Sequence, residues 1–311
     1  MTIDLKIAAA GLIVGFVVGL TGMGGGALMT PILVLFFKVQ PLAAVSSDLV
    51  ASFVMKPVGG AVHLRRGSVH RSMVLWLMAG SVPSAFIGVV VLRLLGNRQD
   101  VQNIVQYALG AALLVAAVAI VVNALLKVHR EARDGRRPDA ELASVPVHRV
   151  RTLLVGVLGG LVVGLTSVGS GSLIIVFLLF LYPRLHGSQL VGTDLVQAVP
   201  LVGSAALGHL LFGDFHLDLT LSLLAGALPG VLAGAQISSR APSRQIRWAL
   251  AFVLLASGLK LVGVPTVQLG ATMAVVAAAA PGATWLFRRT DGFGIAGRLY
   301  RGTPQAAPAE V

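Results

Sequence analysis

Two glycine-broken stretches hold the residues of this sequence best placed to do chemistry. Thr21 to Gly26 reads TGMGGG and Thr166 to Gly171 reads TSVGSG, 145 positions apart, and each interrupts an apolar run. Such a break leaves backbone N–H and C=O groups without helical partners. At membrane depth that is tolerated only where the backbone is buried in protein or lines a watery cavity. The N–H groups opening the next arm, around Ala27 and Ser172, carry the partial positive charge of a helix N-terminus, and the guest they suit is an anion. The first candidate binding set is therefore Thr21, Gly22, Gly24, Gly25 and Gly26 with Thr166, Ser167, Gly169, Ser170 and Gly171. The plainer account is that glycine simply allows a tight turn in a packed hairpin.

Polar residues in the helices that follow extend the set. Ser46, Ser47, Thr193 and Gln197 are candidate ligands, and Ser204 lies further along the second helix. Lys56, Asp48 and Asp194 are candidate coupling or gating groups, because ionisable side chains inside a membrane are costly and tend to face partners or cavities. Snorkelling competes for Lys56, and capping or ion pairing for the two aspartates near their helix starts. His63 and His209 correspond in the two stretches, and a structural donor role is the simplest reading of each.

Other chemistries find little support. GMGGGA at 22–27 formally fits a dinucleotide fingerprint, but no strand precedes it and its counterpart SVGSGS breaks the spacing. The chain has no cysteine, which excludes disulfides, thiolate metal sites and sulfur relay through a thiol. No His, Asp and Glu grouping has metal-ligand spacing, and no nucleophile has a local base, so neither metal, cofactor nor enzymatic activity is expected.

The elements that position these residues follow from composition. Hydrophobic residues make up 56% and charged residues 12% of 311 positions, with mean hydropathy +0.88, which is a polytopic membrane protein. The net charge of +12 sits in short loops without interleaved aromatics, so nucleic acid is not an expected partner. The duplication is long: Gly11, Gly15 and Gly19 return as Gly156, Gly160 and Gly164, and at an offset of 146 Asp48, His63, Gly80, Pro83 and Gly88 return as Asp194, His209, Gly226, Pro229 and Gly234. The glycine triplets are small-residue faces for close helix packing.

The chain thus divides into a first transmembrane repeat at 1–126, a basic linker at 127–151, a second repeat at 152–262, an extra helix at 263–287 and a basic tail at 288–311. The N-terminal apolar run mimics a signal peptide, but its internal copy makes it part of the mature fold. A span needs about 20 residues, and residues 5–37 are too long for one span and too short for two. A re-entrant hairpin fits, leaving three crossings per half and inverting the second half. With the N-terminus outside, 18 of the 24 Lys and Arg residues fall in inner loops and the tail, as the positive-inside rule requires. Trp76, Trp248 and Trp285 lie near the inner ends.

The motifs GLTGMGGGALMTPIL at 19–33, SSDLVASFVMKPVGGAVHLRRGSV at 46–69, GLTSVGSGSLI at 164–174 and GTDLVQA at 192–198 resemble the sulfite exporter TauE/SafE family, over nearly the whole chain. The resemblance implies a multi-pass bacterial inner-membrane transporter, C-terminus cytoplasmic, moving small sulfur-containing anions such as sulfite, sulfonates or sulfoacetate. Lys56, and Asp48 in place of a small hydroxyl residue, depart from that pattern. The expected fold is all-α with two inverted repeats, working by alternating access; a passive anion channel, a proton-coupled uptake permease and a membrane assembly factor are the alternatives. Expected partners are the small anion and the bilayer, with a homodimer left open.

Overall fold

The computed structural model describes residues 4–21, 25–65, 67–95, 98–133, 145–182, 185, 187–237 and 243–289. Among these the backbone forms eleven helices and no named strand. The first half contains α1 (Leu5–Thr21), α2 (Gly26–Leu35), α3 (Pro41–Arg65), α4 (Arg71–Leu94) and α5 (Arg98–Arg133). The second contains α6 (Arg149–Thr166), α7 (Leu173–Leu181), α8 (Gly187–Phe212), α9 (Leu217–Ile237) and α10 (Ser243–Leu261). Helix α5 continues about two turns past Leu126, where the apolar pattern stops. Helix α11 (Thr266–Arg289) falls in a separate compact unit that begins at Pro265.

Among the described residues, five helices are long and apolar enough to cross a bilayer: Arg71–Leu94, Gln99–Val122, Arg149–Thr166, Gln189–Phe212 and Leu217–Gly234. Shorter apolar helices accompany them, and the chain is an all-helical polytopic membrane protein. Large apolar side chains such as Ile13, Leu75, Ile87, Val118 and Leu158 point outward. In water they would be a liability; toward lipid they are the expected surface.

The hairpins return to the side they start from. At one end of the molecule the Asp4 N–H donates to Ser222 Oγ at 3.0 Å, and Asp4 lines an open recess together with Val39 and Gln40, which follow α2. The start of α1 and the exit of α2 are therefore neighbours. At the opposite end the His148 N–H donates to the Tyr182 hydroxyl at 2.8 Å, which brings the start of α6 beside the exit of α7. Each hairpin enters and leaves at its own end.

Glycines decide how the halves interlock. A Cβ on Gly11 would lie 2.7 Å from the Leu223 carbonyl oxygen, and one on Gly156 2.4 Å from that of Leu77. Leu77 and Leu223 are themselves repeat equivalents. In the reverse sense, a Cβ on Gly80 would lie 2.3 Å from the Leu153 carbonyl oxygen and one on Gly226 1.8 Å from that of Ala8. So α1 lies along α9 in parallel register, α6 lies along α4 likewise, and the contacts are reciprocal. The equivalent helices α3 and α8 pair in the opposite sense: Gly203 packs on Phe53 and Gly60 on Val199, while Ser46 Oγ meets His209 Nδ1 at 2.8 Å. With little hydrophobic force between helices in lipid, backbone approach of this kind supplies the association energy.

This packing predicts a contrast measurable by thermal unfolding in detergent. Gly226→Ala forces the α1 and α9 backbones apart and should destabilise by about 1–3 kcal/mol, the usual cost of overpacking. Gly60→Ala, whose Cβ meets only side chains and a carbonyl at 3.7–3.8 Å, should leave the melting temperature unchanged or slightly raised.

Candidate functional site

The second break shows why its sequence is TSVGSG. Helix α6 ends where Ser167 turns left-handed at φ 61°, and Gly169 and Gly171 follow at φ 134° and 94°. These are conformations that side chains with a Cβ rarely adopt, so glycine is required at both. The Thr166 hydroxyl donates to the Val162 carbonyl at 2.7 Å and accepts from the Val168 N–H at 3.1 Å, covering backbone groups the break leaves open. Thr21 does the first of these jobs in α1, donating to the Val17 carbonyl at 2.8 Å. Gly22 and Gly24 lie outside the described residues.

The two breaks touch. A Cβ on Gly26 would stand 2.1 Å from the Ser167 carbonyl oxygen, so only glycine permits the approach. Beside this contact runs the middle of α3, which presents Asp48, Ser52 and Lys56 on one face at a spacing of four residues. Asp48 is fully buried. Its Oδ2 accepts from Thr30 Oγ1 on α2 at 2.8 Å and from Ser167 Oγ of the second break at 2.7 Å, and its Oδ1 from Ser52 Oγ at 3.5 Å. Gly25 of the first break faces the same group, since a Cβ there would lie 3.7 Å from Asp48 Oδ1. Lys56, 6% exposed, donates to Ser170 Oγ of the second break. One helix of the first half therefore supplies an acid and a base that both reach the backbone break of the second half.

The equivalent face of α8 differs. Ser52 and Lys56 become Ala198 and Val202, and Thr30 becomes Ile175. Asp194 is fully buried like Asp48. Its Oδ1 accepts from Gln197 Nε2 at 2.9 Å, and Gln197 Oε1 accepts in turn from Ser81 Oγ on α4 at 3.1 Å. The Gly171 N–H lies beside this carboxyl group, while Oδ2 has no hydrogen-bond partner. Lys56 is within electrostatic reach of both aspartates.

The remaining candidates scatter. Ser46 and His209 form a bridge in which His209 Nε2 meets the Gly164 carbonyl at 2.8 Å, tying α3, α8 and α6 together. Thr193 Oγ1 accepts from the His70 N–H at 3.1 Å and anchors the loop between α3 and α4. The hydroxyls of Ser47 and Ser172 are buried without partners. Sequence reasoning missed Thr30, Ser52 and Ser81. The four-residue ladder of Asp48, Ser52 and Lys56 was the signal for the second; nothing local marked the other two.

Between Thr21, Ala27 and Ser172 lies a cavity of about 10 Å³, room for about one water molecule. The Leu28 and Met29 N–H groups that open α2 both donate to the Gly25 carbonyl, and Ser172 N–H reaches Gly169 O at 3.4 Å. The site is closed in this conformation. The open recess of about 590 Å³ at the end holding Asp4 carries acidic residues, including Asp214, 3.4 Å from His216, and Asp218. The opposite end carries Arg65, Arg71, Arg149 and Arg151, with the Arg149 guanidinium 5.8 Å from the Trp76 ring centre.

Residues 7–261 match the sulfite exporter TauE/SafE family. The chain is 38% identical over 260 residues to the probable membrane transporter protein YjnA of Bacillus subtilis (strain 168), covering 83% of this chain and 100% of that protein. It is 37% identical over 81 residues to the probable membrane transporter protein YunE of the same organism, covering 26% of this chain and 28% of that protein. No solved structure matches. With the match running from the first helix to the end of the tenth, the chain belongs to the TauE/SafE family of membrane transporters.

Proposed function

We propose that this transporter carries a small sulfur-containing oxyanion, of sulfite, sulfonate or sulfoacetate type, by alternating access of two inverted repeats in a bacterial inner membrane. The observation that carries this reading is the meeting of the two breaks beside Lys56. A buried ammonium, the hydroxyls of Ser167 and Ser170 and the backbone of both breaks converge there. That is the donor-rich lining an oxyanion needs on leaving water. The antiparallel register of α3 against α8 supports inversion of the halves, and the closed site supports a cycle in which one hairpin moves against the other to open it.

Charge supports export as the direction of an uncoupled cycle. An inside-negative potential contributes ~2.3 kcal/mol per charge per 100 mV toward expelling an anion. The basic end draws anions toward the site and the acidic recess disfavours their capture from the other side. Uptake would need a coupled proton or cation, and the buried acidic groups around Lys56 favour that as the second reading.

Two experiments test this. Sulfite counterflow in proteoliposomes should weaken about 10–100-fold in apparent affinity in Lys56→Gln, the loss of one charge-assisted hydrogen bond, and less in Lys56→Arg. Unchanged affinity in Lys56→Gln would remove the ammonium from the site. Because the chain has no cysteine, single replacements Arg244→Cys and Arg298→Cys report orientation directly. Both should react with an impermeant maleimide only after the cells are opened, and labelling of either in intact cells would refute the proposed topology.

A further inference from the structure

The set around Lys56 contains one ammonium and two carboxylates, all buried. With all three ionised it would carry an excess negative charge in surroundings that penalise any unpaired charge. The set is neutral only when one carboxyl group holds a proton, and the hydrogen bonds distinguish which. Asp48 accepts from three hydroxyls, on Thr30, Ser167 and Ser52, the pattern of a carboxylate that stays ionised. Asp194 has one side-chain donor, Gln197, and the Gly171 N–H beside it. Its Oδ2 is buried without any partner. A bare carboxylate oxygen there is costly, whereas a neutral carboxyl group is far less so.

We infer that Asp194 is the exchangeable proton site of this transporter, with Oδ2 as its seat, while its repeat equivalent Asp48 is a fixed anion that holds the two breaks together. This deepens the function proposed above and rests on it for the cargo. The other elements packed on Asp194 leave the assignment intact. Helix α3 brings Lys56 and Asp48. Helix α4 brings Ser81 through Gln197, and His70 through its backbone contact with Thr193, while Arg71 and Arg93 lie exposed at its ends. Helix α6 has Arg149 and Arg151 exposed in its first turn, and α7 has no ionisable residue.

A consequence for coupling follows from the same charge count. An oxyanion arriving beside Lys56 adds a negative charge, so the anion and the proton on Asp194 reinforce each other and cross in the same direction. A monoanion and one proton move together without net charge. The membrane potential then ceases to set the direction, which follows from the combined anion and pH gradients.

The proton can be read without knowing the cargo. The full chain in lipid nanodiscs at neutral pH should show the infrared C=O stretch of a protonated carboxylic acid, shifting in D₂O. Asp48 and Asp194 are the only buried acidic residues among those described. The band should vanish in Asp194→Asn and change frequency in Asp194→Glu, whereas Asp48→Glu, which keeps the charge count, should leave its frequency in place. Absence of the band in the unmodified chain, its retention in Asp194→Asn, or a frequency change in Asp48→Glu without one in Asp194→Glu would overturn the assignment. In proteoliposomes, an imposed pH gradient should accumulate sulfite, and Asp194→Asn should abolish that accumulation while sulfite exchange continues. Accumulation driven by sodium and not by pH would also overturn it. Failure of sulfite to exchange at all would count against the proposed cargo, while the infrared result would still decide the proton site.

Discussion

The molecule is arranged around a single carboxylate. Asp48 projects from the middle of α3 into the seam where two interrupted helical hairpins meet, and hydroxyls from α2, α3 and the second break satisfy it. A buried charge persists only if its surroundings are built to hold it, so this one group fixes several others in place. Thr30 sets how α2 lies against α3. Ser167 sets where the second hairpin stops. Gly26 must be glycine because that stopping point presses a carbonyl oxygen against it.

Around that seam the protein is symmetric in its packing and asymmetric in its chemistry. The contacts of Gly11, Gly15, Gly226 and Gly234 between α1 and α9 are repeated by Gly156, Gly160, Gly80 and Gly88 between α6 and α4. The polar groups are not repeated. Ser52, Lys56 and Thr30 have the apolar counterparts Ala198, Val202 and Ile175, and Ser167 and Ser170 stand where the first break has Gly22 and Gly25. Duplication gave two interlocking scaffolds, and divergence placed the charge on one helix and the hydroxyls on the opposing break. A scaffold tolerates this because helix association here depends on backbone approach, which is indifferent to what the remaining faces carry.

Much of this was legible in the sequence. Apolar runs bounded by glycine, proline and charge located the helices, and the 145-residue echo of TGMGGG located the breaks. What could not be read was partnership. Asp48 and Ser167 are 119 residues apart, and Lys56 and Ser170 are 114 apart; no local pattern links them. Thr21 and Thr166 flank the breaks, and both hydroxyls donate to carbonyls one turn back, a contact the sequence did not single out. A threonine at a helix end has that option always at hand. The difference between Asp48 and Asp194, identical by the repeat, also needed coordinates, because it lies in which neighbours arrive from other helices.

The reciprocal pairing of α1 with α9 bears on how the chain is made. The glycine face of α1 is matched to a helix that begins about 200 residues later, at Leu217. At about 5–20 residues per second of synthesis, the first hairpin waits roughly 10–40 s in the membrane before its companion exists. During that interval the glycine face of α1 has no partner, and neither half can complete its own packing. Biogenesis of this protein is therefore a single event spanning both halves, and truncation between them would yield two unfinished pieces rather than two small transporters.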